Sequence, residues 1–319
     1  MVKCFYCKNE AVTFRPYSGE YLCKPCFLKS VERKVQRTIN KYSLLDVTDT
    51  VAVAVSGGKD SLTLLTILSK LEQRFHETKL IAVTIDEGIK NYREESLNFA
   101  KAVASKLGVE HRIYSFKNLF GYNFDEVIAT LREYSLDRAS PCSYCGLLRR
   151  TALNIAAKDV GATKLATAHN LDDEAQTVIM NFLRADYIRA LRTGPRLEKI
   201  HPGFIPRVKP LIEIPEREII LYAYFSNIPL HSQTCPYAQD AFRNDVRAFL
   251  NRMEVTRPEV KYNILRINDR LRSFYTRLEG QLNLTLCVEC GEPASQELCK
   301  KCQLLKILNQ LRSSGTRKI

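Results

Sequence analysis

The chain has 319 residues, with 48 lysines and arginines against 35 aspartates and glutamates and a formal net charge of +13. That length holds one sizeable α/β core with small appendages. With no apolar run of membrane-spanning length and no signal-peptide pattern ahead of Cys4 and Cys7, a cytoplasmic protein is expected.

Positive charge clusters at Lys29, Arg33, Lys34, Arg37 and Lys41, at Arg149/Arg150, at Lys300/Lys301 and at Arg317/Lys318. A polyanionic partner, nucleic acid first, is therefore expected; for the 29–41 stretch a solvated basic surface is the alternative. Eleven cysteines in such a chain point to metal rather than disulfides. Ten fall in five C-x-x-C pairs, which leaves Cys235 alone.

Cys4/Cys7 and Cys23/Cys26 are separated by 15 residues that include the turn Tyr17-Ser18-Gly19-Glu20. Two such knuckles supply the four thiolates of a tetrahedral zinc site, and a segment this short needs the metal to hold its fold. Residues 1–30 are expected to form an N-terminal zinc finger, with a redox dithiol as the competing reading. Val31, Val35, Ile39 and Leu44/Leu45 predict a helix over 29–45, and 31–48 is taken as a basic linker helix.

Residues 49–235 read as the catalytic domain. The run Val51–Val55 predicts a strand buried on both faces, breaking at Gly57-Gly58 into a helix that carries Leu62, Leu64, Leu65, Ile67, Leu68 and Leu71. Strands at 80–85, 111–116 and 164–168 alternate with helices at 91–107, 123–134, 143–160 and 171–184, the pattern of an α/β doubly wound parallel sheet. Ligands of such sheets lie beyond the carboxyl ends of the strands, where Ser56–Ser61, Asp86 and His169–Asp173 fall. The proline-rich stretch 192–215 predicts irregular chain with one extended segment, 204–212. Helices follow at 216–227, 240–253 and 258–280, so 236–285 is read as a helical extension. Cys287/Cys290 and Cys299/Cys302 form a second zinc ribbon within 286–319, ahead of a basic helical tail at 303–318.

Ser56-Gly57-Gly58-Lys59-Asp60-Ser61 is read as the ATP site. The turn exposes free helix N–H groups, glycine lets the backbone approach an anion, the serines can hydrogen-bond phosphate oxygens and Lys59 adds charge. The Walker spacing is absent. An ordinary strand-to-helix turn would explain the glycines but not the Ser, Lys and Asp around them. The string resembles the PP-loop of the ATP-pyrophosphatase superfamily, which cleaves ATP between the α and β phosphates.

Once two zinc sites take eight thiolates, Cys142, Cys145 and Cys235 remain. Pro141-Cys142-Ser143-Tyr144-Cys145-Gly146 is expected to precede a 147–160 helix and place both thiols at its positive end, which lowers thiol pKa. The trio could complete a zinc site with a fourth ligand, hold a 4Fe-4S cluster by three irons, or perform persulfide chemistry. Arg149, one helical turn beyond Cys145, should share its face and could neutralise a phosphate or an oxyanion; a surface arginine is the plainer reading. In His169-Asn170-Leu171-Asp172-Asp173-Glu174, Asp172 and Glu174 are read mainly as helix-capping acids. Asp173 is read as functional, holding Mg2+ on ATP or orienting the attacked base.

With the PP-loop, P-C-S-Y-C-G, H-N-L-D-D-E and C-P-Y in this order and cysteine knuckles at both ends, nearly the whole chain resembles the tRNA 2-thiouridine synthetases. The type is that of TtuA and archaeal NcsA, related to cytoplasmic tRNA 2-thiolation protein 1. The resemblance implies ATP binding by Ser56 to Ser61 with Ile85, Ala168 and Asp173 alongside, adenylation of the uridine C2 oxygen, and displacement of AMP by sulfur. It also implies a 4Fe-4S cluster on Cys142, Cys145 and Cys235, catalysis involving Asp173 and Arg149, and tRNA as substrate. The sulfur donor would be sulfide or a ubiquitin-like thiocarboxylate protein, and the assembly a homodimer. Asp86-Glu87-Gly88-Ile89-Lys90 with Tyr92, and Leu221-Tyr222-Ala223-Tyr224-Phe225, resemble the branch that modifies the wobble uridine more than the T-loop branch. Two departures stand out: Ala168 where members commonly have Gly, and Arg149 where some have Lys.

Three rivals accompany this reading. A PP-loop enzyme of nitrogen chemistry would need no three-cysteine set. A zinc-dependent RNA-binding protein with an inactive nucleotide fold would not need the intact S-G-G-K-D-S string. A persulfide or disulfide relay would use the same cysteines without a cluster.

Overall fold

The computed structural model describes residues 2–72, 78–137, 139–186, 189–190, 193–197, 201–230, 233–238, 241–275 and 285–315. A hairpin of β1 (Thr13–Arg15) and β2 (Glu20–Leu22), in register Thr13 with Leu22, opens the chain and leads into α1 (Lys24–Lys41). This helix starts five residues earlier than its apolar spacing indicates. Pro25 is tolerated in a first turn, where its missing N–H costs nothing, and the Cys23 carbonyl already accepts from the Phe27 N–H at 2.9 Å. The second cysteine knuckle therefore belongs to the helix, not to a loop before it.

A six-stranded sheet forms the centre, in the order β5 (Glu110–Ser115), β4 (Lys79–Asp86), β3 (Thr50–Ala54), β6 (Lys164–Ala166), β8 (Arg207–Val208), β7 (Arg196–Leu197). The first five are parallel and only β7 runs against its neighbour. The unbroken apolar runs of β3 and β4 follow from cover on both faces. Val51, Val53, Leu80 and Ala82 point into one core with α1, α2 (Lys59–Glu72) and α3 (Arg93–Leu107). Ala52, Ile81, Val83 and Ile85 point into the other, with α4 (Phe116–Phe120), α5 (Phe124–Glu133) and α6 (Pro141–Asp159). Chain order reverses across β3 and β6, so the crevice of a doubly wound sheet opens at their carboxyl ends.

Beyond the sheet lie α7 (Leu171–Leu183), α8 (Glu216–Phe225), α9 (Ala241–Thr256) and α10 (Val260–Tyr275). The expected extended segment 204–212 reduces to the two residues of β8, because Pro206 and Pro210 flank it and cannot donate to a ladder. Of the helix expected over 258–280, residues 276–280 lie outside the described residues. So do Arg317 and Lys318.

Both cysteine modules are tied to the central domain by buried or half-buried polar clamps. Arg15, between the two knuckles of the first module, pairs with Glu218 on α8 at 2.9 Å, and the Tyr17 hydroxyl donates to the same carboxylate. In the second module, which includes β9 (Thr285–Leu286) and β10 (Pro293–Ala294), Glu292 accepts from Lys158 Nζ at 2.6 Å and from Asn154 Nδ2 at 2.8 Å, both on α6. The helix read as a basic tail, α11 (Lys300–Gly315), buries Leu304 and Leu308 in the core that holds α6.

Candidate active site

The loop after β3 is built for anion approach, with its two glycines doing different things. Gly57 has φ +84° and a Cβ placed on it would lie 1.9 Å from the Ser96 carbonyl oxygen of α3, so only glycine fits there. Gly58 has ordinary φ, and a Cβ placed on it would make only an ordinary contact, 3.5 Å from Ser56 Oγ. Ser61 closes the turn: its Oγ accepts from the Ser56 N–H at 3.1 Å and donates to the Gly58 carbonyl at 2.9 Å. Lys59 is already neutralised, 2.8 Å from both Asp60 and Glu216, so it is less free to meet phosphate than its place in the motif suggests. At the end of β4, the Ile85 side chain is buried and its carbonyl accepts from Arg93 Nη2.

Among the three acids of α7, capping does not fall to Asp172 and Glu174 as expected. Asp173 is the capping partner: its N–H donates to Asn170 Oδ1 at 3.0 Å and its carboxylate accepts from the Asn170 N–H. Asp172 and Glu174 instead hold buried cations. Asp172 pairs with Lys261 of α10 and accepts from the Glu216 N–H; Glu174 pairs with Lys209. Asn170 Nδ2 also donates to Asp60 Oδ1 at 3.0 Å, joining α7 to the glycine loop. Desolvation, with help from the Asp60 and Glu216 carboxylates, pushes the Asp173 carboxyl up to about 6. A capping role and a poised proton thus reside in one side chain. His169 stays neutral, its pKa lowered by the surrounding protein and by the cations Lys209, Arg207, Arg243 and Arg149.

The helix bearing Cys142 and Cys145 begins at Pro141, so both cysteines lie within its first turns rather than ahead of it. Ser140 is the N-cap residue and proline occupies the first position, where it is favoured. The 235–237 loop folds back onto this helix start. Cys142 Sγ lies 3.4 Å from the Tyr237 carbonyl oxygen, and Cys235 and Tyr237 pack in the same apolar cluster as Cys145. Tyr237 is fixed by edge contact with Phe124 and by its hydroxyl donating to Asp125 at 2.8 Å. The expected lowering of thiol pKa does not hold for Cys145. Burial raises it, outweighing the opposing pull of Arg149.

Arg149 does share the Cys145 face, its Nη2 donating to Cys145 Sγ at 3.1 Å. Its Nε is 3.1 Å from Glu87, whose other oxygen is 2.7 Å from Arg93 Nε. The latter contact is a charge pairing without N–H alignment. Arg93 in turn donates to the Ser56 carbonyl at 3.0 Å. A continuous chain, Ser56–Arg93–Glu87–Arg149–Cys145, therefore links the glycine loop to the cysteines. Glu87 is legible only within a resembling string and Arg93 not at all, because in the polar run Asp86–Arg93 nothing local marks which charges become buried.

Among the described residues, two groups of cysteines bring four sulfurs within 4.8 Å of one another: Cys4, Cys7, Cys23 and Cys26, and Cys287, Cys290, Cys299 and Cys302. In each group one thiol is already inclined to ionise. Burial opposes it, but backbone N–H donors outweigh burial and hold Cys4 and Cys287 at about 6. Four soft donors with no open position suit structural zinc. Cys142, Cys145 and Cys235 come together at the start of α6, and three soft thiol donors are a set that a 4Fe-4S cluster with one open corner would accept.

A glycine loop at the switch point of a parallel sheet, with a cysteine set across the crevice, defines a PP-loop ATP-utilising enzyme. A family model described as the PP-loop domain matches residues 28–254, and one described as the 2-thiouridine synthetase TtuA N-terminal LIM domain matches residues 3–28. The chain is 34% identical over 320 residues to the tRNA 2-thiolation protein NcsA of Haloferax volcanii, covering 96% of this chain and 98% of that one. It is 38% identical over 310 residues to cytoplasmic tRNA 2-thiolation protein 1 of Drosophila yakuba, covering 95% and 87%. The structure of the U34-tRNA thiolase NcsA of Methanococcus maripaludis, solved with its [4Fe-4S] cluster, superposes with a TM-score of 0.84 at 34% identity over 97% of both chains. The chain belongs to the PP-loop family of tRNA 2-thiolation enzymes. No helix among the described residues is long and apolar enough to cross a membrane.

Proposed function

We propose that this enzyme converts the wobble uridine of tRNA to 2-thiouridine. The uridine C2 oxygen attacks the α-phosphate of ATP and pyrophosphate leaves; a sulfur nucleophile then attacks C2 and the C2–O bond breaks, releasing AMP without net redox change. Carbonyl oxygen is a poor leaving group, and adenylation supplies a good one. The observation that carries this reading is the residue chain from Ser56 through Arg93, Glu87 and Arg149 to Cys145, which links the glycine loop to the cysteine side of the crevice. The wobble position is supported by the Methanococcus maripaludis structure, described as a U34-tRNA thiolase.

Ser56, Gly57, Gly58, Lys59, Asp60 and Ser61 would hold the phosphates, with Ile85 and Ala168 beside the nucleotide and Mg2+ arriving with ATP. Asp173 holds or accepts a proton next to Asp60, and Arg149 offers its charge to the departing AMP. Cys142, Cys145 and Cys235 would hold the [4Fe-4S] cluster, which when bound supplies an unligated iron corner able to present sulfide. The two Cys4 groups would hold structural zinc. The sulfur source is proposed to be sulfide or a ubiquitin-like thiocarboxylate protein, and the assembly a homodimer.

The test is metal and acid-labile sulfide analysis of anaerobically purified wild-type and Cys235→Ser protein, with thiolation of unmodified tRNA measured on both. About two zinc, four iron and four sulfide per chain, with iron and thiolation lost in the variant, is the expected result. Zinc alone in protein that still thiolates would assign the same cysteines to persulfide chemistry.

A further inference from the structure

Arg150 and Arg207 are left over once the contacts of the crevice are accounted for. Arg207 lies on β8, just across β6 from the glycine-loop strand, and its Nη2 donates to the Arg150 carbonyl at 2.8 Å. Arg150 lies on α6, one residue past Arg149, but is folded back toward the helix start: a Cβ on Gly146 would come within 3.1 Å of its Nη1. Its guanidinium thus lies over the turn that carries Cys145. Among the described residues neither arginine is paired with a carboxylate, whereas nearby Arg149 pairs with Glu87, Lys209 with Glu174 and Arg189 with Asp186.

Arg150 is exposed and Arg207 half-buried, and two neighbouring cations without counter-charge repel each other. Burial and neighbouring cations lower the pKa of both: Arg149 and Arg189 act on Arg150, and Arg150 acts on Arg207, which is brought down to about 10. Apart from the Arg207 hydrogen bond to the Arg150 carbonyl, no described contact uses either guanidinium, and an anion between them would relieve the repulsion. ATP already has its own loop at the end of β3, tied to Arg93. The pair lies on the cysteine side of the crevice, where an unstacked base would have to enter.

We infer that Arg150 and Arg207 together seat a phosphodiester of the bound RNA, holding the backbone beside the uridine that enters the crevice. This rests on the tRNA-thiolation reading and adds a phosphate contact to it. The seat acts as a positioning site, fixing the strand while the chemistry occurs at the loop and cysteines.

The experiment uses the full-length, metal-loaded protein with Arg150→Gln, Arg207→Gln and Arg207→Lys. It measures tRNA dissociation constants across a salt series, ATP affinity without tRNA, and melting temperature. Each Gln variant should weaken tRNA binding roughly tenfold and lower the slope of log K against log salt by about 0.7–0.9 per lost phosphate contact. ATP affinity and melting temperature should stay at wild-type values, and Arg207→Lys should recover part of the slope. Wild-type slope and affinity in the Gln variants overturn the seat alone. Loss of ATP affinity with an unchanged tRNA slope overturns it too, giving the pair to the nucleotide phosphates. Wild-type protein that fails to bind tRNA overturns the thiolation reading itself.

Discussion

Glu87 is the side chain on which the link between the two halves of the site depends. Its carboxylate is 6% exposed and faces Arg93, also 6% exposed, at 2.7 Å and half-exposed Arg149 at 3.1 Å. Glu87→Gln keeps the shape but removes the charge, leaving a buried guanidinium at Arg93 and freeing Arg149. Removing one partner of a buried pair costs about 3–5 kcal/mol, because the remaining charge is uncompensated. Arg93 keeps hydrogen bonds to the Ser56 and Ile85 carbonyls, so the lower end, about 3 kcal/mol, is expected. At roughly 2 °C per kcal/mol for a chain of this size, the melting temperature should fall by about 6 °C. Thiolation should fall further than stability explains, since Arg149 loses the group that aims it at Cys145. The double variant Glu87→Gln/Arg93→Met should regain part of the lost stability without regaining activity. A single variant within about 1 kcal/mol of wild type and fully active would refute the argument.

Two further outcomes follow from the loop and from α7. Gly57→Ala puts a Cβ 1.9 Å from the Ser96 carbonyl at φ +84°, so it should abolish ATP binding or destabilise by about 3 kcal/mol. Gly58→Ala, whose Cβ would only touch Ser56 Oγ at 3.5 Å, should be milder by calorimetry on both counts; equal losses would contradict the assignment. Asp173 has a folded pKa near 6, above its ordinary 3.8, so the folded state holds its proton more tightly than the unfolded chain. Its contribution to stability is accordingly lost as pH rises from about 3.8 through 6, and Asp173→Asn should gain stability relative to wild type above pH 6. If ionised Asp173 serves the reaction, single-turnover adenylation should decline on the acid side with a midpoint near 6, and Asp173→Asn should be slow at every pH. A flat wild-type profile with a fully active Asn variant would reduce this residue to a helix cap.

The parallel sheet was legible because buried strands and their covering helices have different periods, and β3, β4 and α2 carry theirs in uninterrupted apolar runs. Cysteine spacing announced both four-sulfur groups, since ligands of a small metal-held module must be local in sequence. Helix starts were less legible. Pro25 and Pro141 sit inside first turns, which looks the same in sequence as a break before a helix.

By itself, then, the sequence determined the elements, the glycine loop, the four-sulfur modules and the family resemblance, because each is written in neighbouring residues. Tertiary structure alone decided which acids cap and which neutralise. Asp172 meets Lys261, Glu174 meets Lys209 and Lys59 meets Glu216, partners 35 to 157 residues apart. It also decided that Cys145 is a buried thiol with a raised pKa, and that Glu87 sits between Arg93 and Arg149. Charge and burial depend on what the fold brings close in space, and no local spacing records that.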